Sequence, residues 1–167
     1  CILMIFAILV SFAATSVTYA SGWQISDDPN GQGSNAIVNV RLPIAKPSWA
    51  SLIVDFGTVR NCSAGLGFLF YKNRDLGRHK KSKRNPDASM VVSIDGKRWD
   101  QKADGMRIYE NGFEVAIAIY SQELLDALAY GSEATVSILV SGEQKIGVIF
   151  DIRGGINAIN PAHDRCR

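Results

Sequence analysis

Apolar and polar positions alternate along most of this chain. Ala36, Val38, Val40 and Leu42 share one side while Asn39 and Arg41 take the other. Leu52, Val54 and Phe56 repeat the pattern, followed by Leu66, Phe68 and Phe70, and then by Met90, Val92 and Ile94. Phe113, Val115, Ile117 and Ile119 form the cleanest run; Val136, Ile138 and Val140, then Ile146, Val148, Phe150 and Ile152, complete the set. A repeat of two places successive side chains on opposite faces, which is the pattern of strands buried on one side. Turn-forming residues separate the runs: Asp-Pro-Asn-Gly from Asp28, Asp-Gly at Asp95 and at Asp104, Asn-Gly at Asn111 and Ser-Gly-Glu from Ser141. Short strands with such punctuation predict a mainly β chain, folded as an antiparallel β-sandwich of about seven or eight strands.

The period changes twice, predicting two short helices. Ser121 can cap the first by accepting a free backbone N–H, and Glu123 suits its positive end. Leu124, Leu125 and Leu128 make its apolar stripe, and Gly131 permits a left-handed stop. The second is expected over residues 155–160, with Pro161 ending it.

The beginning has another character. Residues 1–20 carry no charge; the dense apolar part at Cys1–Val10 continues to Ala14 and then gives way to small and hydroxyl residues. Thr18 and Ala20 are small enough for the two specificity pockets of a signal peptidase, so residues 1–20 are expected to be a secretory leader, truncated upstream, that is cut after Ala20. The visible apolar run is shorter than the ~20 residues a membrane span needs, so no anchor is expected once the leader is removed. Residues 21–167 then form one domain, a length suited to a single hydrophobic core.

Export changes the reading of the cysteines. The mature chain holds only Cys62 and Cys166, an even pair in an oxidising space. A disulfide would close a loop of roughly 100 residues and stabilise by about 4–5 kcal/mol in the chain-entropy model. Two alternatives remain: a buried pair of free thiols, and a thiol nucleophile assisted by His163, which lacks a recognisable flanking motif. His79 and His163 lie far apart with no paired-cysteine spacing, so neither a metal site nor a cofactor is expected.

Charge adds one local feature. Of the 167 residues 20% are charged and 47% apolar, the balance of a folded globule, and the net charge is only +2. Seven of the 18 Lys/Arg nevertheless fall between Lys72 and Arg84: Lys72, Arg74, Arg78, Lys80, Lys81, Lys83 and Arg84, with Asp75 the one acid among them. The remainder is mildly acidic. Nucleic-acid binding usually needs a basic face built from several elements, and no aromatic residue lies in this run to stack a base. Nucleic acid is therefore not an expected partner. The run is expected to be an exposed loop or hairpin tip, either merely solvated or in contact with an anionic surface such as lipid headgroups, lipopolysaccharide phosphates or an acidic protein.

From Val92 to Ile159 the motifs VSIDGK, MRIYENGFEVAIAI, SQELLDALAYGSEATVSI and VIFDIRGGINAI follow in order, and GWQIS stands near the start. This arrangement resembles the invasion-associated locus B family of bacterial exported proteins. It also resembles periplasmic proteins related to the type VI secretion accessory protein VasI, to which the spacing of Cys62 and Cys166 is the more similar. The resemblance lies mainly in the C-terminal half. It implies a β-sandwich of the bacterial envelope, with no catalytic residues to carry over.

Other motifs read as structure. Asp28-Pro29-Asn30-Gly31 fits a type I turn at every position, whereas a calcium loop needs six or more oxygens. Asp95, Asp100 and Asp104 are the acids available for glycan chemistry, but two of them stand in turn contexts. Asn61-Cys62-Ser63 is a glycan acceptor only in a eukaryotic pathway, not in a bacterial envelope. Trp23 is expected in the core. Trp99 follows the Asp-Gly-Lys-Arg turn and is expected either to pack at the core rim or to stand out as an interaction anchor. The expectation is therefore a non-enzymatic exported protein that meets an envelope protein or an anionic surface. The alternative is a periplasmic inhibitor or ligand-binding module.

Overall fold

The computed structural model describes residues 19–27, 33–42, 47–57, 61–73, 75–119 and 121–166. Residues 1–18 of the expected leader, the turn at 28–31 and Arg74 lie outside these. Two antiparallel sheets pack face to face. In chain order the strands are β1 (Tyr19–Asp27), β2 (Gly33–Leu42), β3 (Ser48–Gly57), β4 (Ala64–Lys72), β5 (His79–Arg84), β6 (Ala88–Ile94), β7 (Lys97–Lys102), β8 (Gly105–Tyr109), β9 (Gly112–Ala118), β10 (Glu133–Val140) and β11 (Glu143–Asp151). The helices are α1 (Gln122–Tyr130) and α2 (Ile156–Cys166). The larger sheet has seven strands in the order β1-β2-β3-β4-β9-β8-β5, and the smaller has four in the order β11-β10-β6-β7.

The alternating residues meet between the sheets. Val38 and Val40 of β2, Leu52, Val54 and Phe56 of β3, Leu66 and Phe68 of β4, and Val115 and Ile117 of β9 face inward from the larger sheet. Met90, Val92 and Ile94 of β6, Val136 and Ile138 of β10, and Val148 and Phe150 of β11 answer them from the smaller, with Ile152 buried just beyond β11. Phe68 and Phe150 meet edge to face across the gap, with ring centroids 6.3 Å apart.

Two hairpin turns follow directly from their residues. Asp95 and Gly96 have φ of 47° and 87°, and Ser141 and Gly142 of 52° and 78°. Positive φ at both central residues is the twist-matched turn of a two-residue hairpin. The Asp95 carboxylate also accepts the amides of Ser132 (3.0 Å) and Glu133 (3.2 Å), which ties this turn to the start of β10.

The hairpin β6–β7 does not end at its sheet. The Ala103 amide donates to the Ala88 carbonyl (2.9 Å), and the Asn85 amide to the Asp104 carbonyl (3.0 Å). These bonds carry the pairing round a corner, so β5 and β8 continue β6 and β7 into the larger sheet. Bent strands that change sheets in this way close the corner of a sandwich. The crossing leaves β7 at the edge of one sheet and β5 at the edge of the other.

Several expectations need correction. The described residues hold eleven strands, not seven or eight. β1, β5 and β7 lack a clean apolar alternation and exist because a neighbour offers them a ladder; Tyr19 and Ala20, at the end of the expected leader, pair with Arg41 and Val40. Ser121 precedes α1, but its side chain makes no capping bond. Gly131 is extended (φ −70°), not left-handed. A Cβ there would lie 2.5 Å from both the Ala127 carbonyl oxygen and Ile94 Cγ2, so close packing, not φ, requires glycine. Leu124 and Leu128 are fully buried, while Leu125 is half-buried. Pro161 does not end α2, which runs on to Cys166. Proline removes one backbone bond, but Ala158, Ile159, Ala162 and Cys166 continue a buried stripe across it.

Candidate functional site

The second half of the basic run, His79–Arg84, is an edge strand, not a loop or a hairpin tip. β5 is held on one side by β8, with Lys81 opposite Ile108, Ser82 opposite Arg107, Lys83 opposite Met106 and Arg84 opposite Gly105. The register slips between His79 and Lys81, so Lys80 sits at a bulge. All six side chains of β5 are exposed, as expected of the run, and none enters the core. Burial falls off across this flank: Val115 of β9 is fully buried, Met106 of β8 is partly buried, and Lys83 of β5 is exposed. The larger sheet thus projects an uncovered edge.

The remaining members of the run lie near this edge. Arg78 precedes β5 and stands 3.9 Å from Glu110, whose amide donates to the Arg78 carbonyl. Lys72 ends β4, and its amide donates to Asn111 in the β8–β9 turn. No described acid lies within ion-pairing distance of Lys80, Lys81, Lys83 or Arg84.

The other edges differ. On β7, Lys97 pairs with Glu123 and Arg98 reaches Asp100 at 3.4 Å, leaving Lys102. On β11, Glu143 pairs with Lys145, and Asp151 with Arg153 just beyond the strand. On β1, Asp27 accepts Arg165 Nη1 at 3.2 Å on both carboxylate oxygens, and Ser34 Oγ at 3.0 Å. The Arg165 and Ser34 hydrogen bonds hold the Asp27 carboxyl below the usual carboxylate range. Hydrogen bonds from Lys145 and Arg153 do the same for Glu143 and Asp151.

Beside β5 the structure adds residues not picked out from the sequence. Arg107 of β8 reaches Glu114 of β9 at 3.2 Å, and the Tyr109 hydroxyl donates to the same carboxylate at 3.4 Å. The Glu114 charge raises the pKa of Arg107; burial, then that charge, raises Tyr109. The two-residue turn at Glu110 and Asn111 sets Arg107 opposite Glu114, so hairpin register was the available signal. Arg107 and Glu114, with Ser82, Lys83 and Arg84, line a shallow depression of about 330 Å³ beside this edge.

A second concave region shares no residue with the β5 edge. Phe56, Ile119, Leu125, Ile156 and Ile159 floor a cleft of about 410 Å³ between the two helices and the segment before β4. Asp126, Asn160 and His163 contribute polar groups, and Tyr130 stands at the cleft 73% exposed. Cys62 and Cys166 are joined beside it, with their Cα atoms 5.7 Å apart, so the disulfide reading holds and the free-thiol and nucleophile readings fall. It fastens the end of α2 to the residues leading into β4.

Trp99 is half-buried on β7 opposite Val92, packed against the core with Lys97 Nζ 5.5 Å from its ring centroid. It takes the rim position, not that of a protruding anchor. Trp23 also packs against the core, and its indole N–H donates to the Ile152 carbonyl (2.8 Å). The three aspartates do not converge. Asp95 serves its turn, Asp100 neighbours Arg98, and the Asp104 carboxylate accepts the Ala118 amide at 2.6 Å. Among the described residues no three His, Cys, Asp or Glu side chains are grouped to hold a metal, and no helix is long and apolar enough to cross a membrane. No family model, curated protein or solved structure matches the chain.

Proposed function

We propose that this is a non-enzymatic interaction or accessory protein exported to the bacterial envelope, and that it meets an anionic partner through the β5 edge. One observation carries the reading: Lys80, Lys81, Lys83 and Arg84 are exposed on an edge strand with no described acid to neutralise them. Adjacent like charges repel one another, and an opposing anionic group relieves that repulsion. The disulfide supports export, because such bonds persist in oxidising compartments. The apolar, uncharged opening of the chain and the resemblance to envelope families point the same way, with a role in host contact or secretion.

The test is binding to anionic probes, namely polyglutamate and phosphatidylglycerol vesicles, by the wild type and by a variant with Lys80, Lys81, Lys83 and Arg84 all changed to Ser. Wild-type binding to at least one probe should fall steeply between low and physiological salt, and the variant should lose it. Binding that ignores salt, or that survives the substitutions, overturns the proposal. A second reading, a periplasmic inhibitor or ligand-binding module, is favoured by the cleft between the helices, where apolar side chains meet a few polar ones. It requires that filling the cleft by Leu125→Trp abolish binding to the physiological ligand while the β5 variant retains it.

A further inference from the structure

We infer that the partner of β5 is an acidic, extended protein segment that adds to this edge as an eighth strand of the larger sheet. The inference rests on the proposed anionic contact and specifies its form. Pairing on one side alone leaves β5 with backbone groups directed away from β8. In an antiparallel ladder alternate residues turn their N–H and C=O to the partner. Asn85 donates to Asp104, so Lys83 and Lys81 belong to the set facing β8. Ser82 and Arg84, between them, direct their backbone groups outward. An extended segment lying alongside satisfies these groups while its side chains reach the cations.

Three observations favour a strand over a planar anionic surface. Lys81 and Lys83 stand opposite Ile108 and Met106, on the core side of the sheet, whereas Arg84 falls with Ser82 and Arg107 on the outer side. The cations therefore project from both faces. A plane applied to one face leaves the other row unmatched, but a strand added at the edge runs between the rows and carries side chains to both. The second observation is that β5 has no apolar side chain to insert below a headgroup layer. The third is the contrast with the other edges. Charged edge strands commonly serve only to prevent unwanted pairing. On β1, β7 and β11 the charges are largely balanced by nearby opposite ones, with Lys102 the exception. β5 instead carries only positive charge, which repels a second copy of itself and selects an acidic strand.

The experiment uses the whole chain and a synthetic eight-residue peptide that repeats Glu-Glu-Thr-Thr, which sets carboxylates on both faces of a strand, followed by fluorescence anisotropy. Two versions methylated on alternate backbone nitrogens, one for each edge of the peptide, keep its charge and remove donors. In the chain, Ser82→Pro removes an outward N–H and leaves the charges and the β8 pairing in place, which an edge strand tolerates. The parent peptide should bind, and one methylated version together with Ser82→Pro should each weaken binding about tenfold, the scale of one or two lost hydrogen bonds. Binding of Ser82→Pro to polyglutamate at low salt, where an unordered chain suffices, should be nearly unchanged. Equal binding of the parent and both methylated peptides overturns strand addition and leaves an electrostatic contact standing. Binding to phosphatidylglycerol vesicles without binding to the peptide does the same and points to lipid. Absence of binding to every anionic probe overturns both this inference and the function on which it rests. Should Ser82→Pro fail to fold, the methylated peptides still decide the question.

Discussion

The two flanks of the seven-stranded sheet are built from the same alternating ladder and end in opposite conditions. At the β1–β3 flank, α2 lies against β1, β2 and β3, Arg165 reaches Asp27, and the disulfide fastens the helix end to the approach to β4. At the β8–β5 flank no described helix or sheet covers the strands, and the last carries unneutralised cations. A strand surrounded by tertiary contacts must present the residues its surroundings demand. An edge strand held by one ladder tolerates almost any side chain, provided its partner is in place. Concentrating covalent and apolar stabilisation on one flank leaves the other free to carry the proposed recognition at small cost to the fold.

Removing the disulfide should break this contrast most strongly. Changing Cys62 and Cys166 together to Ser should lower unfolding stability by about 4–5 kcal/mol in the chain-entropy model, measured by urea denaturation. A loss under about 1 kcal/mol would show that α2 is held by its apolar stripe alone. Next in size, Leu128→Ala should cost roughly 2–4 kcal/mol, since a fully buried side chain leaves a cavity where α1 meets the core. A change below about half a kcal/mol would place that face in solvent.

Asp27 gives a smaller and pH-dependent effect. Its carboxyl is held below the usual range in the folded chain, so it binds a proton less readily folded than unfolded. Its contribution is therefore present above the ordinary aspartate pKa near ~4 and fades as pH falls through the lower folded value. Asp27→Asn should be less stable than wild type at neutral pH, with the difference closing in acid; thermal midpoints at neutral and acid pH measure this. A difference that persists unchanged in acid would assign the effect to something other than the Arg165 and Ser34 bonds. The smallest effect sharpens the comparison from the other side. Changing Lys80, Lys81, Lys83 and Arg84 to Ser should alter stability by no more than about half a kcal/mol, as surface substitutions do. A large loss in chemical denaturation would mean that β5 helps to hold its flank together.

Legibility followed the source of each strand's stability. β2, β3, β4, β6, β9, β10 and β11 place apolar side chains between two sheets, and that burial writes a period of two into the chain. β5 buries nothing, so its strand conformation left no mark, and only its charge could be read. The exposure of these bases was legible, but their form was not, because a loop and an edge strand make the same demands on solvated lysines. Pro161 misled for a related reason: a local helix breaker was outweighed by the apolar and covalent anchoring of α2. The helix cleft drew no expectation, since its walls come from segments distant in sequence.

What the amino-acid order determined by itself was the β class, the hairpin turns at Asp95 and Ser141, the place of α1, and two cysteines, Cys62 and Cys166, available to join. Each follows from interactions within a few residues or from side-chain chemistry that needs no partner. Tertiary structure decided which strands became edges, that the β6–β7 hairpin bends across both sheets, and that the basic run lies extended with backbone groups on its open side. A sheet edge is defined by the absence of a next neighbour. That is a property of the assembled ladder, because hydrogen bonding to β8 gives β5 its form and the end of the strand order gives it its exposure.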